Sequence, residues 1–361
     1  MLIAGGGTGG HLFPGIAVGE SLVRRGGAEV RFVGSHHGIE RTAVPRAGFE
    51  VDLLPVRGVL GEGVRGLLRA AWMVPRSLAA AWFLLGRFRP DLVVGVGGYA
   101  AFPALAAAVL RRTPIVLLEQ NARAGLVTRS FARFARTICV SFPETRDELG
   151  PRAVLTGNPI RWNVSDQPVP PRADGALDVL VFGGSAGAHR LNEVVPEAIA
   201  HLGGGVRVRH QTGAADHDEV SRRYRELGVD AEVVPFIDDM QAAYLGCDVA
   251  VCRSGATTLA ELTALGVAAV LVPYPFAAAD HQRTNAQALV DGGAAWMILD
   301  DELDAAGLAA LLEEARSDAA GLESRRDRAR GMGRPEALDQ VTRICAEAAG
   351  TPLADGAGAA A

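Results

Sequence analysis

The sequence predicts an α/β protein of two doubly wound, parallel-sheet domains, and three observations predict it. Short apolar runs alternate with longer amphipathic segments along the whole chain, the pattern of strands joined by crossover helices. At 361 residues the chain exceeds what one hydrophobic core usually serves. The halves also echo each other: GGGTGG (5–10) follows the first strand of the first half and GGSAGA (183–188) the first strand of the second. Two Rossmann-like domains facing each other across a cleft are therefore expected.

In chain order, the strands of the first half are expected at LIA (from 2), EVRFVG (29), LVVGVG (92), PIVLLE (114) and TICVSF (137). Those of the second half are LDVLVFGG (177), VRVRHQTG (206), AEVVPFI (231), DVAVCRSG (248) and AAVLVPY (268). Each is a β-branched or aliphatic run short enough for a buried parallel strand. Between the halves, NPIRWNVSDQPVPPRADG (158–175) has four prolines and no periodicity, so the linker falls there. The domains are accordingly residues 1–161 and 162–334. An amphipathic helix over 335–349 is expected to pack back on the first domain, and 351–361, small and polar-poor, to be disordered.

Hydrophobic residues at 49% and charged residues at 21% are those of an ordinary globular protein and exclude a disordered chain. All basic residues are arginine, and they are unevenly placed. Residues 1–161 carry 20 arginines against 11 acids, and residues 162–361 carry 16 against 30. A basic half joined to an acidic half points to something anionic facing the first. Nucleic acid is a poor fit, because the chain as a whole is acidic, with a formal net charge of -5. Cys139, Cys247, Cys252 and Cys345 lack metal or C-x-x-C spacing and read as free thiols of a reducing cytosol. No secretory leader and no apolar run of spanning length is present, so the chain is not expected to be integral to a membrane.

Four glycine-rich turns follow strand-like runs: GGGTGG at 5, GVGGYAAFP at 95, GGSAGA at 183 and RSGATT at 253. At such turns backbone N–H groups and a helix N-terminus approach phosphate closely, although any single loop can equally serve backbone geometry alone. The P-loop is excluded for want of a lysine, and a nicotinamide or flavin enzyme is the lesser reading, because the acid expected after the second strand is replaced by GSHHG. In RSGATTLAEL, Ser254–Thr258 would open a helix toward a diphosphate, with Glu261 one turn on and able to accept both hydroxyls of a ribose diol. The plainer alternative is a capping box from Thr258 to Glu261. Asp216 and Asp218 form a D-x-D triplet of the kind that holds a divalent ion, but their surroundings read better as a helix opening, so no metal is expected. His11, at the tip of the first glycine loop, is the candidate general base; a structural hydrogen-bonding role is the alternative. Asp280, Gln282 and Asn285 are placed to read sugar hydroxyls or simply to open a helix.

Residues 57–90 hold six arginines, one acid and an apolar set that includes Trp72, Trp82 and Phe83. Such a segment either docks on an anionic bilayer, with Arg69, Trp72, Arg76, Trp82 and Phe83 as the patch, or is a core helix with a basic outer face. The excess positive charge of the first half favours the membrane.

Taken together, GGTGGHLFPGIAVGESL, VGSHHGIE, LVVGVGGYAAFP, EQNARAGLVTR, TGNPIR, VFGGSAGAHRLNE, FIDDM, RSGATTLAEL and VPYPFAAADHQRTNAQAL resemble, in order and over nearly the whole chain, the motifs of the MurG family. The resemblance implies a GT-B fold and an inverting transfer of N-acetylglucosamine from UDP-GlcNAc to the MurNAc 4-hydroxyl of undecaprenyl-pyrophosphoryl-MurNAc-pentapeptide (lipid I), giving lipid II. It implies no cofactor and a peripheral position on the cytoplasmic face of the bacterial cell membrane. The partners it implies are UDP-GlcNAc, lipid I, the anionic inner-membrane surface and a cell-wall synthesis complex. By the same resemblance the acceptor pyrophosphate meets Thr8, Gly9, Gly10, Gly97, Gly98 and Tyr99, and His11 takes the acceptor proton. Thr8, Gly9 and Gly10 also border the donor, with Asn121, Arg161 and Ser185. The backbone of Ile237 reads uracil, the run Ala256, Thr257, Thr258, Leu259, Ala260 and Glu261 holds diphosphate and ribose, and Gln282 meets the sugar. Departures from the family are Leu118 for a histidine before EQN, Ala186 for a glutamine, GGYAAFP for GGYVSGP, and a first strand starting at Met1. A UDP-sugar:diacylglycerol glycosyltransferase shares the donor pattern, and a non-catalytic membrane adaptor is a further alternative; GGTGGH and EQN favour lipid I.

Overall fold

A computed structural model describes residues 1–57, 63–162, 175–184, 187–277 and 280–354, with the side chains of 63–71 outside that description. Ser185, Ala186, most of the linker and 355–361 therefore lie outside the described residues. The chain divides into two compact units, 1–161 with 335–361 and 162–334.

The first unit is built on β1 (Leu2–Ala4), β2 (Arg31–Ser35), β3 (Glu50–Leu54), β4 (Val93–Gly95), β5 (Ile115–Glu119), β6 (Thr137–Val140) and β7 (Ala153–Leu155). They pair in parallel in the order β3-β2-β1-β4-β5-β6-β7. The second unit holds β8 (Leu177–Phe182), β9 (Val206–Gln211), β10 (Ala231–Val234), β11 (Val249–Cys252), β12 (Ala268–Leu271) and β13 (Ala295–Met297), parallel in the order β10-β9-β8-β11-β12-β13. The fold is thus GT-B in its parts, two doubly wound α/β domains. Three strands, β3, β7 and β13, are edge strands that the apolar runs do not mark. EVDLL, AVL and AWM are short or half polar because one of their sides faces no further strand.

Both orders reverse direction once, between β1 and β4 and between β8 and β11. At such a switch point the loops from the two central strands diverge to opposite faces and leave a crevice at the carboxyl ends, where ligands of open α/β sheets bind. All four glycine-rich turns emerge from these four strands. That placement, which no single loop reveals, is what the fold contributes to the site.

The helix Ala337–Ala349 packs on the helix Gly9–Gly26 and sends Val341, Cys345 and Ala346 into the core of the first unit. Disorder from 351 onward does not hold for Thr351–Ala354. The Thr351 N–H donates to the Ala346 carbonyl, the Ala354 N–H to the Arg25 carbonyl, and Leu353 joins the same core, because an apolar side chain shortly past a helix end can close over it. Among the described residues no helix is long and apolar enough to cross a membrane.

One buried polar network ties the second sheet to its helices. His210 on β9 is fully buried between the Tyr224 hydroxyl (Nδ1, 3.0 Å) and Asn192 Oδ1 (Nε2, 3.1 Å), while Asn192 Nδ2 donates to the Thr212 carbonyl and to Asp216. Desolvation pushes the His210 pKa down to about 3. The unfolded chain therefore binds a proton that the folded one refuses, so stability is full above the ordinary histidine pKa and is lost as pH falls from about 6.5 toward 3. We expect the second unit to lose about 1.4 kcal/mol per pH unit over that interval from this residue. Melting temperatures at pH 7 and 5 for the wild type and His210→Gln check it: the variant should show the smaller acid-induced drop.

Candidate donor and acceptor sites

At the switch point of the first unit, the turn after β1 and the turn after β4 are pressed together. A Cβ on Gly5 would strike Val96 and the Gly97 carbonyl, and one on Gly98 would strike the Gly6 carbonyl, so glycine is required by close approach as well as by positive φ (152° at Gly5, 76° at Gly98). Thr8 is the N-cap of the helix Gly9–Gly26, in extended conformation, with its carbonyl accepting the Leu12 N–H. The first helical turn therefore begins at Gly9, Gly10 and His11, the geometry of an anion-binding terminus.

His11 is held on two sides. Its Nδ1 lies 2.9 Å from the Thr8 hydroxyl, and its ring lies so close to Gly97 that a Cβ there would overlap it. The Tyr99 ring lies against Gly7. Thus Thr8, Gly9, Gly10, His11, Gly97, Gly98 and Tyr99 are one cluster in space. Arg161 joins it, its guanidinium 4.7 Å from the centre of the Phe13 ring on the first helix. From the next strand, Gln120 Nε2 donates to the Val96 carbonyl, while Asn121 is held by Glu119, whose Oε1 accepts the Asn121 N–H and Nδ2, both at 3.2 Å. Glu119 Oε2 accepts the Gly125 N–H at 2.9 Å, so this buried carboxylate shapes the whole EQNARAG turn. Leu118, the departure from the family's histidine, is a buried β5 residue of the core and not part of the loop.

A residue that the motif reading passed over is the keystone of the first glycine loop. Glu40 is buried, yet it accepts the Gly7 N–H (2.9 Å) on Oε2 and the Ser35 N–H (2.7 Å) and hydroxyl (2.9 Å) on Oε1. A Cβ on Gly6, Gly34 or Gly38 would collide with it. The glycines of GSHHG thus make room for a carboxylate under the first loop, and the Gly7 N–H is engaged there, on the side of Glu40.

In the second unit, the helix Ala256–Leu265 starts after Gly255, a residue with no side chain to cap it. Ser254 and Gly255 precede the helix, and the alternative of a capping box from Thr258 to Glu261 does not hold, because Thr258 is the third helical residue and not the N-cap. Glu261 instead accepts a 2.9 Å hydrogen bond from the Tyr244 hydroxyl. Arg253 fastens this turn to the end of β12 through the Val272 and Pro273 carbonyls (3.2 Å each) and Asp300 (2.5 Å). The Ser254 hydroxyl donates to the Gln282 carbonyl (2.8 Å), and Gln282 Oε1 accepts the Tyr274 N–H (2.9 Å), which brings Gln282 beside the same turn. Ile237, buried, follows the end of the edge strand β10. Beyond β8, Gly187 lies against the Thr212 carbonyl and leads into the helix His189–His201; Ser185 is outside the described residues. Asp216 is the residue before the helix His217–Glu226 and is committed to Asn192 and His189. Those bonds hold its carboxyl below the usual range and raise His189.

The arginine-rich segment forms the helix Gly63–Phe88. Its Ser77, Ala81 and Leu85 face the core, one turn apart each, whereas Trp72 (66%) and Phe83 (72%) stand in solvent with Trp82 half exposed. The core-helix reading is therefore wrong for the aromatic residues: they occupy the outer face. Arg76 lies over Trp72 (4.3 Å) and Arg111, from the neighbouring helix Phe102–Arg111, over Trp82 (3.9 Å). Leu110 adds a further exposed apolar side chain, and the Arg69 side chain lies outside the described residues.

Residues 1–140 match the N-terminal domain model of glycosyltransferase family 28, and residues 178–341 its C-terminal domain model. A protein of Anaeromyxobacter dehalogenans (strain 2CP-C), named UDP-N-acetylglucosamine--N-acetylmuramyl-(pentapeptide) pyrophosphoryl-undecaprenol N-acetylglucosamine transferase, is 46% identical over 96% of this chain and 92% of its own. The like-named protein of Myxococcus xanthus (strain DK1622) is 44% identical over the same shares. The crystal structure of Acinetobacter baumannii MurG superposes with a TM-score of 0.80 at 30% identity, covering 96% of this chain and 98% of that one. Two family-28 domains in order, with this identity over nearly the full length, place the chain beyond a shared fold: it belongs to glycosyltransferase family 28, in the MurG family of N-acetylglucosamine transferases.

Proposed function

We propose that the chain transfers N-acetylglucosamine from UDP-GlcNAc to the 4-hydroxyl of MurNAc in lipid I, with inversion, to give lipid II. The observation that carries this is the pair of switch points, each furnished with two glycine turns and a helix N-terminus. One of them also presents a histidine. The first suits a lipid-linked pyrophosphate and the second a nucleoside diphosphate.

Chemically, the acceptor O4 must lose its proton as it bonds to the anomeric carbon and as the bond from that carbon to UDP breaks. His11 is the group offered for the proton. The Thr8 hydroxyl, 2.9 Å from Nδ1, orients the ring; in the tautomer in which Nδ1–H donates to that hydroxyl, Nε2 carries the basic lone pair. The departing UDP gains negative charge, which the N-terminus of the helix Ala256–Leu265 stabilises at no cost of reorganisation. The test is UDP release with UDP-GlcNAc and a short-chain lipid I analogue, alongside diacylglycerol as rival acceptor. UDP should appear with lipid I alone; release only with diacylglycerol overturns the reading.

The exposed Trp72, Trp82 and Phe83 with Arg76 and Arg111 support docking on the anionic cytoplasmic face of the membrane, where lipid I resides. Indole and phenyl rings enter the headgroup boundary while guanidinium groups meet lipid phosphates. Trp72→Ala combined with Phe83→Ala is expected to weaken binding to phosphatidylglycerol vesicles by about tenfold or more, from apolar area alone. Sedimentation at two salt concentrations measures it. Turnover of a soluble acceptor analogue should be unchanged.

A further inference from the structure

The geometry points to Tyr244 as a positioning residue for donor recognition: its hydroxyl holds the Glu261 carboxylate in the orientation that reads the ribose of a uridine diphosphate sugar. Tyr244 belongs to the six-residue helix Met240–Leu245 and is wholly buried. Its ring is wedged edge-on between Phe182, at the end of β8 (centroids 5.7 Å), and Trp162 (5.8 Å). Two χ angles place a phenol, and here packing fixes both, so the hydroxyl has one direction available. That direction ends 2.9 Å from Glu261 Oε2, on a helix whose N-terminus belongs to the donor switch point.

The terminal bonds of a glutamate are soft, and the hydrogen bond from a neutral, deeply buried phenol fixes the direction of Glu261 Oε2. Burial and the facing carboxylate push the Tyr244 pKa well up, so it remains a donor throughout the working pH range. Glu261 therefore presents a set plane to the two vicinal hydroxyls of a ribose, which require two acceptors at defined spacing. Preorganisation of this kind affects binding of the donor and leaves the acceptor untouched.

The inference rests on the assignment of Glu261 to the ribose, and the experiment separates the two. KM is measured for UDP-GlcNAc and for its 2′-deoxyuridine analogue with wild type, Tyr244→Phe and Glu261→Gln. The ratio of the two is the readout, because it does not depend on the fraction of enzyme folded. In Tyr244→Phe the donor KM should rise about tenfold, the worth of one hydrogen bond to a charged group, with the lipid-acceptor KM unmoved and the ribose-to-deoxyribose preference reduced. If Tyr244→Phe keeps the wild-type preference while Glu261→Gln loses it, Glu261 reads the ribose without help from Tyr244 and the inference is overturned. If Glu261→Gln keeps the preference, the ribose assignment itself fails and the inference falls with it.

Discussion

Replacing His11 by alanine is expected to lower kcat by about 10²–10⁴-fold, the usual worth of a positioned general base. The donor KM should stay near its wild-type value, because uracil, diphosphate and ribose are assigned to Ile237 and to Ala256–Glu261 in the other unit. The size of the loss follows from how the imidazole is located: the Thr8 hydroxyl lies 2.9 Å from Nδ1, and the ring lies against Gly97, where a Cβ would overlap it. A companion substitution, Thr8→Val, keeps the base but removes the hydrogen bond that orients it. It should cost less than His11→Ala, and the double variant should cost no more than His11→Ala alone, since the threonine acts through the histidine. Steady-state kinetics with both substrates saturating measures this. A kcat for His11→Ala within threefold of wild type would falsify the assignment and return His11 to a purely structural role.

The second large effect is expected at Glu40. Removal of its carboxylate in Glu40→Ala leaves the buried Ser35 N–H and the half-buried Gly7 N–H without their acceptor and takes from the Ser35 hydroxyl its 2.9 Å partner. Each unpaired buried donor costs about 1–3 kcal/mol, so a loss of several kcal/mol is expected in the first unit. Glu40→Gln should be almost as damaging. Its amide offers one acceptor and two donors to a slot that supplies only donors, so size is kept while the hydrogen-bonding sense is reversed. In material that still folds, the KM for lipid I should rise tenfold or more as the loop beginning at Gly5 loses its floor, with the affinity for UDP intact. Thermal unfolding and a direct UDP titration check the two halves of this expectation. Equal losses of donor and acceptor affinity would mean that Glu40 supports the unit as a whole and not the loop.

The unequal legibility of the site has a physical cause. Glycine loops such as GGGTGG and RSGATT are visible in a sequence because the backbone there must adopt conformations, or accept neighbours, that only glycine permits. Strands such as LVVGVG are visible because both faces are buried. Glu40, Glu119 and Tyr244 are invisible by the same logic. A lone glutamate in GSHHGIE or LLEQN reads as a charge for the solvent, and a tyrosine in QAAYLG as core. Glu40 and Tyr244 take their roles from a partner far along the chain, Gly7 at a separation of 33 residues and Glu261 at 17, whereas Glu119 folds its own turn back on itself through Asn121 and Gly125.

The membrane-facing segment shows the limit from the other side. Its composition is compatible with two helical faces, and hydrophobicity alone favours burial of Trp72 and Phe83. The small residues Ser77 and Ala81, with Leu85, take the inner face because the neighbouring helix Phe102–Arg111 approaches closely there, and this close packing leaves the large aromatic side chains outside. Edge strands β3 and β13 are likewise settled by their position in the sheet and not by their residues.

By itself, then, the sequence determined the class of fold, the two-domain division, the family and the loops able to meet phosphate, since these depend on local backbone permission and on periodic burial. The tertiary structure alone decided which loops share a switch point, that Gly97 closes against the His11 ring, that Glu40 underlies the glycine loop after β1 and that Glu261 answers to Tyr244 instead of capping its own helix. These are contacts between residues distant in the chain. No local pattern encodes them, because each partner is satisfied only by a donor or acceptor that folding brings within about 3 Å.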